Sequence, residues 1–167
     1  MRYIGNTDGA ASGKRPGTEV FVELMVKHFG FSNLGTWAVR NMRSSDPNAK
    51  PRLSVHATAR ACDLGFKWDD AAVRSKVAQV IDWLVANYEA LGIQEVHDYS
   101  GVSKKGTEEW GRGWRCDRGG GKPGWKDWTP TDNGGTPKSR WIHVELDPSV
   151  ALTRNAMKKA WQAVPKP

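Results

Sequence analysis

The stretch "RWIHVEL" at 140–146 constrains this chain more than any other. It alternates strictly, so an extended backbone puts Trp141, His143 and Glu145 on one side and Ile142, Val144 and Leu146 on the other. The aliphatic side has to be covered by an apolar layer. An imidazole then sits in the middle of a buried strand, where it needs a partner. A second stretch, "LSVHATARACDLGF" from 53, sets His56 and Asp63 seven residues apart in a run too apolar for a surface loop. Any fold for this chain has to account for both.

The rest of the chain supplies helices to cover such a strand. Residues 18–29, "TEVFVELMVKHF", carry apolar residues at 20, 21, 24, 25 and 29, the spacing of an amphipathic helix capped by Thr18 and ended by Gly30. The strongest pattern runs over 69–91. Val73, Val77, Val80, Ile81, Leu84, Val85, Tyr88 and Leu91 form one stripe, with Asp69 or Asp70 as N-cap and Gly92 as the stop. Asp147-Pro148 opens a final helix that runs to about residue 163.

Strands are expected over "GTWAVRNM" (35–42), over "LSVHA" and "ACDLGF" as two short strands or one with a bend, over "IQEVHDYS", and over "RWIHVEL". "SSDPNAKPR" reads as a loop, and 100–139 as a long irregular stretch rich in Gly, Trp, Lys and Asp. No regular βαβ series is present. The expectation is an α+β fold with a small, mostly antiparallel sheet flanked by helices, in one domain of 167 residues.

Two histidines and an aspartate suit a metal ion. Zinc takes imidazole nitrogen and carboxylate oxygen, and a catalytic zinc keeps three protein ligands and one open position at which water is activated. His56, Asp63 and His143 are the candidate ligands. Taken singly, each histidine also reads as a hydrogen-bonded core residue, and Asp63 as a turn or cap residue. The two cysteines, Cys62 and Cys116, fit no CxxC zinc site and read as free thiols, with one bridge between them as the alternative.

"SVHATARACDL" resembles the Ser-x-His-x-x-Gly-x-Ala-x-Asp motif of the LAS-type zinc peptidases. These are the D-Ala-D-Ala carboxypeptidases and L-Ala-D-Glu endopeptidases, many of them phage endolysins. Ser54, His56, Ala61 and Asp63 match in spacing, and "WIHVEL" resembles the family's second motif. The likeness is clearest over 36–147. It implies a Hedgehog/D-Ala-D-Ala-peptidase-like fold, a Zn2+ cofactor held by His56, Asp63 and His143, and a peptidoglycan stem peptide as substrate. It also implies an arginine upstream of the first motif that holds a substrate carboxylate. Arg40 and Arg43 lie there, and a guanidinium binds a carboxylate in two-pronged fashion. Ser54 and Trp114 are further candidates for substrate binding.

Two positions depart from that pattern. Ala59 stands where the motif has glycine, so a slightly different turn is expected. Arg140 stands where the family usually has the acidic general base, three residues before the last histidine, and a guanidinium takes no proton from water. Glu145, on the same strand face as His143, is the first candidate to replace it, or else a partner that orients a ligand. Asp98 is the second, and His97 is a further site group or a core histidine.

The net charge of +7 favours anionic partners, but it is spread along the chain and forms no dense basic block. Nucleic acid is therefore not expected as a partner. No apolar run is long enough to cross a membrane and no secretory h-region is visible. With the resemblance, this implies a monomeric endolysin made in the host cytoplasm and acting on the cell wall after release. Trp110, Trp114, Trp125 and Trp128 among basic residues would form a rim suited to wall polymer, or would fill the core under the Gly-rich stretch. A zinc-stabilised wall-binding module of the same fold is the rival reading, with Arg140 in its favour.

Overall fold

The structure is a computed structural model that describes residues 1–42, 48, 50–103, 110–129 and 139–167. Among these, six strands form one sheet: β1 (Ser32–Gly35), β2 (Ala61–Gly65), β3 (Ile93–Asp98), β4 (Arg112–Gly119), β5 (Lys122–Asp127) and β6 (Trp141–Leu146). They lie in the order β1-β2-β6-β3-β4-β5, and every neighbouring pair is antiparallel. Five helices accompany them: α1 (Pro16–Phe29), α2 (Ala71–Ala86), α3 (Tyr88–Leu91), α4 (Pro148–Ala151) and α5 (Arg154–Gln162). The fold is α+β, as the sequence implies.

The expected alternation of β6 decides the architecture. Ile142, Val144 and Leu146 are fully buried and share one apolar cluster with Cys62 and Leu64 of β2, Val96 of β3 and Trp114 and Cys116 of β4. Phe21 and Met25 of α1, Ile81 and Leu84 of α2, and Met157 and Trp161 of α5 belong to the same cluster. Fully burying one such side chain contributes about 1.5–3 kcal/mol, so this layer dominates the stability of the fold. Both cysteines are free and buried in it. The opposite face of the sheet carries the polar residues.

Several local expectations are corrected. Helix α1 starts two residues earlier than expected, with Arg15 as N-cap and Pro16 at its first position. Thr18 is buried instead, and its hydroxyl donates to the Ala59 carbonyl at 2.8 Å. Gly30 does end the helix, at φ 79°. The 69–91 helix is capped by Asp70 but breaks at Asn87, whose side chain donates to the Trp83 carbonyl and so competes with the helical ladder. "GTWAVRNM" is not a strand: β1 precedes it, and beyond Gly35 only an isolated bridge, Asn41 to Leu53, is formed.

"LSVHA" is not a strand either. Ser54 accepts from the His56 N–H and caps a 3-10 turn over Val55–Thr58. The stretch 100–139 holds the β4–β5 hairpin, whose turn is made by Gly120 and Gly121 at φ 58° and 76°. The abundance of glycine disguised two strands as a loop. No helix among the described residues is long and apolar enough to cross a membrane.

Candidate metal centre

Two adjacent strands and one turn converge on the polar face of the sheet. Asp63 of β2 and His143 of β6 are direct cross-strand partners. His56 reaches them from the 3-10 turn, its ring centroid 4.9 Å from that of His143. The turn is closed by Ala59 in the left-handed conformation, φ 57° and ψ 27°, the only non-glycine residue with positive φ among those described. That conformation costs an L-residue about 1–2 kcal/mol. The hydrogen bond from Thr18 and the full burial of Ala59 hold it in place. The departure from glycine at this position therefore leaves the turn left-handed.

One donor atom from each of His56, Asp63 and His143 lies within 4.8 Å of the other two, so the group could hold a metal ion. Nδ1 of His143 is 2.8 Å from Asp63 Oδ1, and Nε2 of His56 is 3.3 Å from Asp63 Oδ2. Both histidines are buried and Asp63 is half-buried. Burial alone would raise the Asp63 carboxyl, but the hydrogen bonds and charges of His143 and His56 outweigh it and hold the carboxyl well below its usual range. Burial alone would lower His143, yet Asp63 and Glu145 on its two sides push it up to about 10. A set of two nitrogens and one carboxylate oxygen, brought together with little exposed surface, matches the donor chemistry of zinc and related divalent ions.

Glu145 is brought to the site, but not as a free base. Its Oε1 lies 3.1 Å from His143 Nε2, and its Oε2 accepts from the Tyr3 hydroxyl at 2.9 Å. With Nδ1 of His143 facing Asp63, the Glu145 carboxylate fixes the ring from behind, as the outer partner of a ligating histidine does. These contacts have the geometry of the second expectation for Glu145, an orienting group. Asp98 is corrected outright. It pairs with Ile142, so it points to the face away from His143, and it is fully buried. It organises the following turn, accepting from the N–H of Ser100, Gly101 and Ser103.

The other expectations divide. Ser54 is buried and caps the turn that presents His56. Trp114 is corrected as a substrate group, since it is 2 % exposed on the core face and its ring meets Tyr88 at 5.0 Å. Arg40 is exposed on a segment tied to the site, with its carbonyl accepting from Ser54 N–H at 3.0 Å. Arg43 lies outside the described residues. Arg140 is turned to the surface, 3.3 Å from Asp69. Trp125 lies half-buried under the Arg112 guanidinium, 3.8 Å from the ring centroid.

Three residues of this face, Tyr3, Glu95 and Tyr99, escaped sequence reading. Tyr3 reaches Glu145 across 142 residues, and nothing in the pattern of the N-terminal stretch announces it. The segment that carries it is anchored by Arg60, which is fully buried and donates to Asp8 and to the Gly5 and Leu146 carbonyls. Glu95 on β3 and Tyr99 just beyond its end flank His97 at two-residue steps, an alternation that was legible in "EVHDY". Trp128 covers His97, with centroids 5.2 Å apart at 76°, because Gly113 beneath it has no side chain.

No family model, curated protein or solved structure matches this chain.

Proposed function

We propose that this protein is a zinc-dependent peptidoglycan peptidase of the LAS type. It would cut an amide bond in the stem peptide, in the setting of a phage or prophage endolysin, on a Hedgehog/D-Ala-D-Ala-peptidase-like fold. The observation that carries this reading is the buried His56–Asp63–His143 group, in which the two histidines turn different nitrogens towards one carboxylate. The motif spacing of "SVHATARACDL" and "WIHVEL" supports it. A zinc ion held there supplies Lewis-acid activation of water and of a carbonyl. The chain's own residues do the rest. Glu145 and Tyr3 hold the His143 ring, Ser54 and Ala59 hold the turn bearing His56, and Arg40 offers an exposed guanidinium for a substrate carboxylate.

A second reading has one observation in its favour. Among the described residues, both carboxylates expected as the proton acceptor are engaged elsewhere, Glu145 with His143 and Tyr3 and Asp98 with its turn. A zinc-stabilised module that binds wall polymer without cutting it needs no such acceptor. Elemental analysis paired with hydrolysis of purified cell wall separates the two. One zinc per chain with turnover, both lost in His143→Ala, and both lost on chelation and regained with added zinc, is the expected result. Zinc without turnover on several wall types supports the binding module. A folded wild-type protein that takes up no zinc overturns both.

A further inference from the structure

We propose that the Tyr99 hydroxyl contacts peptide bound beside the metal centre, and that His97 and Glu95 are there to aim it. This rests on the reading that the metal centre acts on a peptide. Glu95 and His97 stand on the polar face of β3, opposite Glu145 and His143 of β6, and Tyr99 follows two residues on. The Tyr99 hydroxyl lies 2.8 Å from His97 Nδ1. His97 Nε2 lies 3.1 Å from Glu95 Oε1, at ion-pair distance but out of line for a hydrogen bond. The same Glu95 oxygen accepts from Arg118 at 2.9 Å. A carboxylate, an imidazole and a phenol thus form one chain along a strand next to the metal ligands.

The ring of His97 is oriented for this task and not for ligation. Its Cδ2 is turned towards Gly113 of β4, within 3.3 Å of where a side chain there would begin. The two nitrogens therefore point along β3, one to Glu95 and the other to Tyr99. Trp128 clamps the ring from the hairpin side. Buried polar chains of this kind are costly unless each member is satisfied, and a phenylalanine at 99 would fill the space without them.

The Tyr99 ring lies on Trp141 with centroids 4.1 Å apart at 38°, and Trp141 is half-buried two residues before His143. Tyr99 is 9 % exposed, and the two rings, tilted by 38°, stack two residues from His143. A phenol both donates and accepts, so the hydroxyl that meets His97 still has capacity for a backbone N–H or C=O of an extended peptide. Tyr99 is then a substrate contact, and His97 and Glu95 are positioning residues.

The test uses the zinc-loaded full chain, a synthetic stem peptide containing L-Ala and D-Glu, and purified wall. Tyr99→Phe removes only the hydroxyl. It is expected to keep the wild-type zinc content and melting temperature, and to weaken peptide binding or lower kcat/KM about three- to tenfold. His97→Phe should give a similar loss, His97→Gln a smaller one, and the Tyr99→Phe/His97→Phe double variant no more than the larger single loss. Unchanged binding and kcat/KM in Tyr99→Phe overturns the proposal, whatever the wild type hydrolyses. A wild type that binds the peptide through Tyr99 but never cuts it keeps this proposal and sinks the peptidase reading. A wild type that binds no peptide sinks both.

Discussion

Arg60→Ala tests how the N-terminal segment is held over the polar face. Arg60 is fully buried between the 3-10 turn and β2, and it makes four hydrogen bonds. Two go to the Asp8 carboxylate, at 3.0 and 3.1 Å, and the others to the carbonyls of Leu146 and Gly5. Removing one partner of a fully buried pair costs about 3–5 kcal/mol when the other charge is stranded. Asp8 is not stranded by this change, because it is about a quarter exposed and keeps Arg15 at 2.7 Å. What is lost is satisfaction of two carbonyls and burial of two methylenes, the latter about 0.8 kcal/mol each. Set against that are the released side-chain entropy of about 2 kcal/mol and the relieved desolvation of the guanidinium.

The net expectation for Arg60→Ala is a loss of about 2–3 kcal/mol, or roughly 4–12 °C in melting temperature for a chain of this size. Asp8→Ala should cost more, about 3–5 kcal/mol, because it leaves the buried guanidinium with carbonyls alone. The double variant should lose less than the sum of the two. Urea and thermal unfolding read these values, and limited proteolysis reports whether residues 1–10 come loose and take Tyr3 from Glu145. Arg60→Ala within 0.5 kcal/mol of wild type, together with additive behaviour in the double variant, would refute the account of the anchor.

Two further perturbations follow from the same face. The Glu95 carboxyl is held at about 2; burial pushes it up, but His97, Tyr3 and Arg118 outweigh that. A folded value below the unfolded one of 4.5 means stabilisation that is present above about pH 4.5 and lost as pH falls towards 2, up to about 3 kcal/mol. Chemical denaturation between pH 6 and 2 should therefore show a shallower acid loss in Glu95→Gln than in wild type, and equal slopes would contradict the assignment. In Gly113→Ala the new methyl would come 2.4 Å from Trp128 Cζ2 and displace the indole from His97. The expected cost is about 1–3 kcal/mol with altered tryptophan fluorescence, and an unchanged spectrum and stability would show that Trp128 does not rest on that position.

The two faces of β6, the helices and their apolar stripes, the free cysteines and the grouping of His56, Asp63 and His143 were all legible in order and spacing. Each depends on local periodicity or on residues a few positions apart, except the joining of His143 to the other two from 80 positions beyond Asp63, which rested on the motif resemblance. The β4–β5 hairpin was not legible, because glycines that allow its turn and the seat of Trp128 also erase the apolar alternation of a strand. Nor was the cap break at Asn87, where one side-chain amide competes with the helix for a carbonyl. In the sequence Asp98 is only slightly less suited to a proton than Glu145. Register alone separates them, turning one towards Ile142 and the other towards His143.

Tyr3, Arg60 and the Glu95–His97–Tyr99 chain gain their meaning only from tertiary contact. Their partners lie across the sheet or across most of the chain, and a buried polar atom takes whichever partner the packing brings within about 3 Å. Sequence by itself determined which residues are able to form a metal centre and which face of each strand is apolar. The folded sheet decided which nitrogen of His143 meets Asp63 and which carboxylate stands behind it, because one step of register swaps every side chain to the opposite face.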